Sequence, residues 1–269
     1  MKKQCPLCKS QKINFELDDY IKNQYWKCSN CKLLFQNPIT EYSYNESYWT
    51  NAIDPDGNEK DQTIMKDFKI KNWYGDISKF LKKLKPGKIF DVGCGLGFLL
   101  SDIPKTWEKY GSDASKFAIS FIEDNYNEII IKELDLEKPP PENLRNFDVV
   151  VCYHVIEHIE NPDLFFKHLS MMVKKKGVLI VGTPNIGSFG AKRFKGNFRL
   201  LGIGHLSLFN DNNLQKLFER NHFKIIKKEY PFLQTDYFNI KNIFKIFNTK
   251  QISPPFYGNI MTLYGEKLD

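Results

Sequence analysis

The sequence lacks any apolar run approaching the roughly 18 residues that a membrane helix requires. Its longest, from Val149 to Ile156, is interrupted by Tyr153 and His154, so no membrane insertion is expected. Behind the opening Met1-Lys2-Lys3-Gln4-Cys5-Pro6 there is no apolar stretch that could act as a signal peptide, which makes a cytoplasmic protein the expectation. A concentrated charge of one sign is also missing, because 39 basic against 32 acidic side chains leave a formal +7 spread along the chain. Lys82-Lys83 and Lys174-Lys175-Lys176 fall at expected helix ends, where the helix dipole favours lysine. Such diffuse charge argues against a nucleic-acid grip, which favours a basic face with interleaved aromatics. It leaves room for a small anionic ligand. No internal repeat or low-complexity segment is present, and 42% hydrophobic with 26% charged residues excludes wholesale disorder in these 269 residues.

Six cysteines are unevenly placed. Cys5-Pro-Leu-Cys8 and Cys28-Ser-Asn-Cys31 form two C-x-x-C pairs, while Cys94 and Cys152 stand alone. Two such knuckles can set four thiolates tetrahedrally about Zn²⁺, each pair on a tight turn. Asn14 to Leu17 and Leu33 to Phe35 read as short strands, as in a zinc ribbon. With every position taken by protein sulfur, this zinc is expected to be structural, folding a segment too small to fold alone. A thioredoxin-like redox pair would need a strand-then-helix context that is absent.

From about Thr63 to Leu84 apolar residues recur at mostly helical spacing, and Pro86-Gly87 stops the pattern. Strands and helices then alternate, which predicts an α/β domain around a mostly parallel sheet. Expected strands are Lys88 to Val92, one ending at Tyr110-Gly111-Ser112-Asp113, Ile129 to Ile131, Phe147 to Cys152, Val178 to Val181, Phe223 to Ile226 and Gly258 to Tyr264. Expected helices start near Phe98 and cover Ala114 to Asp124, Pro162 to Val173 and Asn212 to Asn221.

The chemistry starts at Asp91-Val-Gly-Cys-Gly-Leu-Gly97, the turn after the first of these strands. Phe98 stands where a dinucleotide fingerprint would carry its third glycine. A pyrophosphate on this turn would meet the Asp91 carboxylate, whereas the ammonium and sulfonium of S-adenosylmethionine would be attracted to it. Asp113, closing the second strand, is placed to accept both ribose hydroxyls. Asp135, after the third, is placed to reach the adenine edge.

With these landmarks, together with Phe147 to Val151, His154-Val-Ile-Glu-His158, Gly182-Thr-Pro-Asn185 and His205-Leu-Ser-Leu-Phe209, residues 86–269 resemble the class I S-adenosylmethionine-dependent methyltransferases. Cys28 to Pro38 and the following Tyr48-Trp49 resemble the zinc ribbon fused to this fold in bacterial sugar and small-molecule methyltransferases. The resemblance implies a Rossmann-like, seven-stranded, mostly parallel sheet with one antiparallel strand. It divides the chain into a zinc ribbon (1–40), a linking or lid segment with a helix (41–85), and a cofactor-binding domain (86–269) with a substrate-side insertion at 186–210. By position, Asp91, Gly93 and Gly95 would hold the methionine part of the cofactor, Asp113 the ribose, and Asp135 with Leu136 the adenine. Tyr153 and His154 would sit beside the reactive methyl, and Tyr48 and Trp49 are lid candidates.

A hydroxyl acceptor needs a base of pKa near neutrality. Of five histidines, His205 or His154 is the expected base, His205 preferred because it follows the Ile186 to Gly204 insertion. Sugar C-methyltransferases carry a tyrosine near this place, and here Gly202-Ile203-Gly204 precedes His205, which disfavours carbon. His154, Glu157 and His158 would share one face if helical; the expected role is a helix-capping network that stiffens the cofactor floor, the alternative being a divalent-cation site, which histidine in place of a carboxylate disfavours for magnesium. The expected enzyme O-methylates a small metabolite such as a sugar, a sugar nucleotide or another surface-polysaccharide (capsule) precursor. The alternatives are a zinc-ribbon RNA methyltransferase, a C- or N-methyltransferase of a small molecule, and a non-enzymatic ribbon adaptor.

Overall fold

The computed structural model describes residues 4–55, 57–135, 138–202, 204–231 and 244–268. Leu136 and Ile203 lie outside the described residues. The chain opens with three short strands, β1 (Ile13–Asp18), β2 (Gln24–Cys28) and β3 (Leu34–Gln36), joined antiparallel in sequence order. Helix α1 (Glu46–Thr50) and a hairpin of β4 (Ala52–Ile53) with β5 (Glu59–Lys60) follow.

The helix expected from Thr63 to Leu84 is broken into pieces. A 3-10 turn at Gln62–Ile64 leads to α2 (Lys66–Lys69), a π turn at Ile70–Tyr74 and α3 (Gly75–Leu81). Gly75 closes the π turn, where a Cβ would crowd Ile70 O at 3.3 Å, and glycine is a poor helix former in any case. Wide turns of this kind are rare and gather at functional sites.

Beyond residue 86 the alternation holds. In chain order come β6 (Lys88–Val92), α4 (Phe98–Asp102), β7 (Glu108–Ser112), α5 (Lys116–Asn125), β8 (Ile129–Ile131) and β9 (Phe147–Tyr153). Then follow α6 (Pro162–Met172), β10 (Val173–Pro184), α7 (Phe189–Phe194), β11 (Ser207–Leu208), α8 (Asp211–Arg220), β12 (Phe223–Glu229) and β13 (Ile260–Lys267). Strand β10 starts earlier than expected: the lysines at 174–176 lie exposed on a strand extension, not at a helix end. Lys174 pairs there with Asp148.

Seven strands form one sheet in the order β12-β13-β10-β9-β6-β7-β8, mostly parallel with one antiparallel strand pair. The central β9 is buried along nearly its whole length, as a parallel strand covered on both faces must be. A second, four-stranded sheet runs β1-β2-β3-β11. Its last strand comes from the insertion, Ser207 opposite Phe35 and Leu208 opposite Leu34. Contacts group the chain into two units: residues 1–42, 154–167 and 181–264, and residues 43–153, 168–180 and 265–269. Among the described residues no helix is long and apolar enough to cross a membrane.

Candidate active site

In the unit carrying residues 43–153, the chain leaves β6 through a turn built on glycine. Gly93, Gly95 and Gly97 all take positive φ, +71°, +54° and +72°, a region in which an L side chain is strained. The turn is pinned to the end of β7. Gly93 N and Cys94 N both donate to Ser112 O, at 2.8 and 2.9 Å, and Gly95 N donates to Asp113 Oδ2 at 2.8 Å. The other oxygen of Asp113 accepts from Ser115 N at 2.9 Å. Asp113 thus gathers backbone N–H groups beside the turn, and burial nevertheless raises its pKa.

Asp91 is 4% exposed, and burial, with the charge of Asp113 added, lifts its carboxyl well above the ordinary value. Two carboxylates that disfavour each other's ionisation form a site that a cationic ligand would stabilise. Tyr74, delivered by the π turn, is half-buried and interacts electrostatically with Asp91. Its ring meets that of Tyr153 edge-on at 5.6 Å.

Trp49 covers the glycines. A Cβ on Gly95 would stand 3.1 Å from Trp49 Cη2. The indole Nε1 donates to Ser115 Oγ at 2.8 Å, and the ring packs with Leu96, Phe98 and Ala118. Asp135 is placed differently from the other acids: its half-exposed carboxylate pairs with Lys138 Nζ at 2.9 Å.

In the other unit, His154 follows β9 directly with φ +58°, held by its N–H on Gly182 O at 2.9 Å. The segment is not an α-helix, since only Ile156–His158 forms a 3-10 turn. A network joins these residues all the same. Glu157, fully buried, accepts from His154 Nδ1 and from Thr183 Oγ1, each at 2.9 Å. Burial works against its charge, but the His154 hydrogen bond and the nearby histidines prevail and hold its pKa down at about 2. His158 Nδ1 lies 2.9 Å from Gly204 O, and His205 Nδ1 2.7 Å from Leu200 O. A carbonyl only accepts, so each Nδ1 carries the proton and each Nε2 a lone pair. The two rings are 4.8 Å apart, and burial first, then the neighbouring His158, depresses His205 to about 4.

The four N-terminal cysteines converge. Cys5 and Cys31 sulfurs are 3.6 Å apart, Cys8 and Cys28 sulfurs 3.5 Å, and all four lie within 4.8 Å of one another. Zn–S bonds of about 2.3 Å in a tetrahedron put sulfurs roughly 3.8 Å apart, so the quartet fits zinc in both donor type and spacing. Asn30 Nδ2 at 3.6 Å from Cys8 Sγ and Cys31 N at 3.5 Å from Cys28 Sγ supply the outer hydrogen bonds that orient thiolate ligands. Cys94 and Cys152 are buried outside this group.

Tyr74, Thr183 and the backing role of Glu157 are the site features that spacing did not reveal. Thr183 could have been found, because it ends a strand beside Gly182 in the 182–185 landmark. Tyr74 could not, because a π turn has no sequence signature.

Residues 67–228 match the family model described as "Methyltransferase domain". The chain is 33% identical over 128 residues to the ubiquinone biosynthesis O-methyltransferase of Pelagibacter ubique, covering 46% of this chain and 50% of that one. It is 27% identical over 221 residues to the mitochondrial enzyme of the same name from Dictyostelium discoideum, covering 70% and 67%. The matched region spans about half the length of the first of these relatives. An S-adenosylmethionine-dependent methyltransferase from Clostridium acetobutylicum has a similar fold, with TM-score 0.53 and 15% identity over 74% of this chain and 92% of that one. One from Thermotoga maritima gives 0.52 and 18% over 76% and 98%. With the family model covering more than half its length and the cofactor turn intact, the chain belongs to the class I, Rossmann-like S-adenosylmethionine-dependent methyltransferase family.

Proposed function

We propose that the protein transfers a methyl group from S-adenosylmethionine to a hydroxyl oxygen of a small molecule, with His154 as the base and a structural zinc in the cysteine quartet. Bound S-adenosylmethionine supplies a methyl group already activated as a sulfonium. Asp91 and Asp113 would hold its cationic and ribose ends, and the Gly93–Gly95 turn, free of Cβ atoms, would let the backbone approach closely. Trp49 and Tyr74 would keep water from the sulfonium, since proximity and exclusion of solvent supply most of what methyl transfer needs. Asp135 and Leu136 remain the proposed adenine contacts, and Tyr153 a wall beside the methyl.

The observation that carries the oxygen reading is the His154–Glu157–Thr183 chain. Glu157 accepts from Nδ1, which fixes the tautomer in which Nε2 is the basic nitrogen that would take the acceptor's proton, and the buried carboxylate would stabilise the imidazolium that forms. His205, with its pKa held near 4, is a weak base but a good hydrogen-bond acceptor, and we assign it to orienting the substrate hydroxyl. Relatives named as O-methyltransferases support oxygen as the accepting atom.

Two acceptor classes follow. A sugar, sugar nucleotide or other surface-polysaccharide precursor is one. An aromatic or apolar alcohol is the other, favoured by Phe189, which is 56% exposed on α7 at the start of the insertion and meets Phe256 edge-on at 5.6 Å. The test is a panel of nucleotide sugars and phenols with methyl-labelled cofactor, repeated with His154→Ala. Loss of turnover by about 10²–10⁴ in that variant is expected. Full turnover by His154→Ala would refute the assignment.

A further inference from the structure

The loop that carries His205 is braced by the sheet that carries the cysteines, and one phenol makes the tightest connection. Tyr25 lies in β2, three positions before Cys28, and is completely buried. Its hydroxyl donates to His205 O at 2.8 Å and accepts from Gly202 N at 3.2 Å. One side-chain oxygen therefore satisfies a backbone group at each end of a turn whose glycines, Gly202 and Gly204, sit at φ +85° and +70°. The turn is closed by its own His205 N–Gly202 O hydrogen bond at 2.9 Å, and the phenol ties both of its ends to β2. The hydroxyl is buried among Leu34, Phe198, Leu201 and Leu208, where a phenol without partners would be costly. Burial raises the Tyr25 pKa, so it remains a neutral donor at every working pH.

The neighbouring contacts point the same way. Tyr20 OH donates to Leu201 O at 2.8 Å, and Gln36 N donates to Leu206 O at 2.9 Å immediately before β11 pairs with β3. The loop in turn fixes the imidazole, because Leu200 O, within the same braced stretch, takes the Nδ1 proton of His205 at 2.7 Å.

We propose that Tyr25 is a positioning residue for His205: its hydroxyl clamps the 202–205 turn, fixing the tautomer and direction of the imidazole and tying it mechanically to the cysteine-bearing sheet. This rests on the assignment of His205 to the acceptor side. It adds a role for the ribbon beyond holding metal, since the sheet that the zinc folds becomes the template for the substrate loop.

The test uses the whole 269-residue chain loaded with zinc and imidazole-nitrogen NMR from about pH 3 to 8. The groups facing His205 are His158, Glu157 and His154, so all three histidines are followed together. In Tyr25→Phe the ring and its packing remain while the clamp is lost. Zinc content and S-adenosylhomocysteine affinity should stay within about twofold of the parent. His205 should lose its fixed Nδ1–H tautomer, and its titration should move further down from about 4, because the Leu200 hydrogen bond that supports the protonated ring is lost. Tyr20→Phe should move it in the same direction by less, and it decides the matter if Tyr25→Phe does not fold. An unchanged tautomer and titration of His205 in the folded variants would overturn the proposal. Failure of the acceptor-side reading registers separately: His205→Ala would then keep full turnover whatever the NMR of the tyrosine variants shows.

Discussion

Replacing Glu157 with glutamine tests the polar network at its centre. The carboxylate is fully buried and accepts two hydrogen bonds, from His154 Nδ1 and Thr183 Oγ1. Hydrogen bonds to a charged group are worth about 1.5–3 kcal/mol each. An amide keeps one accepting oxygen and turns an NH₂ toward the other donor, so one bond is lost and two donors face each other. Glu157→Gln should therefore cost about 2–3 kcal/mol at neutral pH. The sign with pH follows from the carboxyl itself. Its folded pKa, about 2, lies below the ordinary value of 4.5, so its contribution is fully present above 4.5 and is lost as pH falls toward 2. The gap between parent and variant in urea unfolding should accordingly hold from neutrality down to about pH 5 and narrow below it. A gap of the same size at pH 7 and pH 3 would mean that packing, not the charge of Glu157, sets the cost, and the argument for a carboxylate-backed His154 would fall with it.

Asp113→Ala removes the acceptor for Gly95 N and Ser115 N as well as the expected ribose ligand; S-adenosylmethionine binding should weaken by about 2–4 kcal/mol by calorimetry, and unchanged affinity in a folded variant would dismiss the placement. Elemental analysis of unchelated protein should find about one zinc per chain, reduced to a trace in Cys28→Ser, with Cys94→Ser and Cys152→Ser neutral.

Much of this was legible because it is local. The alternation after residue 86, the acids at the ends of β6 and β7 and the two C-x-x-C knuckles are short-range patterns, and each maps to one turn or one strand. What escaped depends on contacts made across the chain. A helical pattern from Thr63 to Leu84 carries no mark of the π turn that carries Tyr74, because apolar spacing is the same on either side of one extra residue. The preference for His205 as base came from its place after the insertion. Burial and the neighbouring His158 then lower its pKa to about 4. That environment is assembled from Leu200, His158 and Glu157, and sequence spacing does not contain it. Likewise, His154, Glu157 and His158 lie on a left-handed residue and a 3-10 turn in place of the expected helix face.

The pairing of β3 with β11 also has a consequence for how the chain is made. Between Tyr25 and His205 lie 180 positions of sequence, and synthesis at about 5–20 residues per second takes roughly 10–40 s to cover such a distance. During that interval the cysteines have emerged and can take up metal, while the outer edge of β3 has no strand to cover it. An uncovered edge is a template for pairing with other chains. The nascent protein thus passes through a period in which the β1-β2-β3 strands are open along one side, until the late arrival of Ser207 and Leu208 seals them.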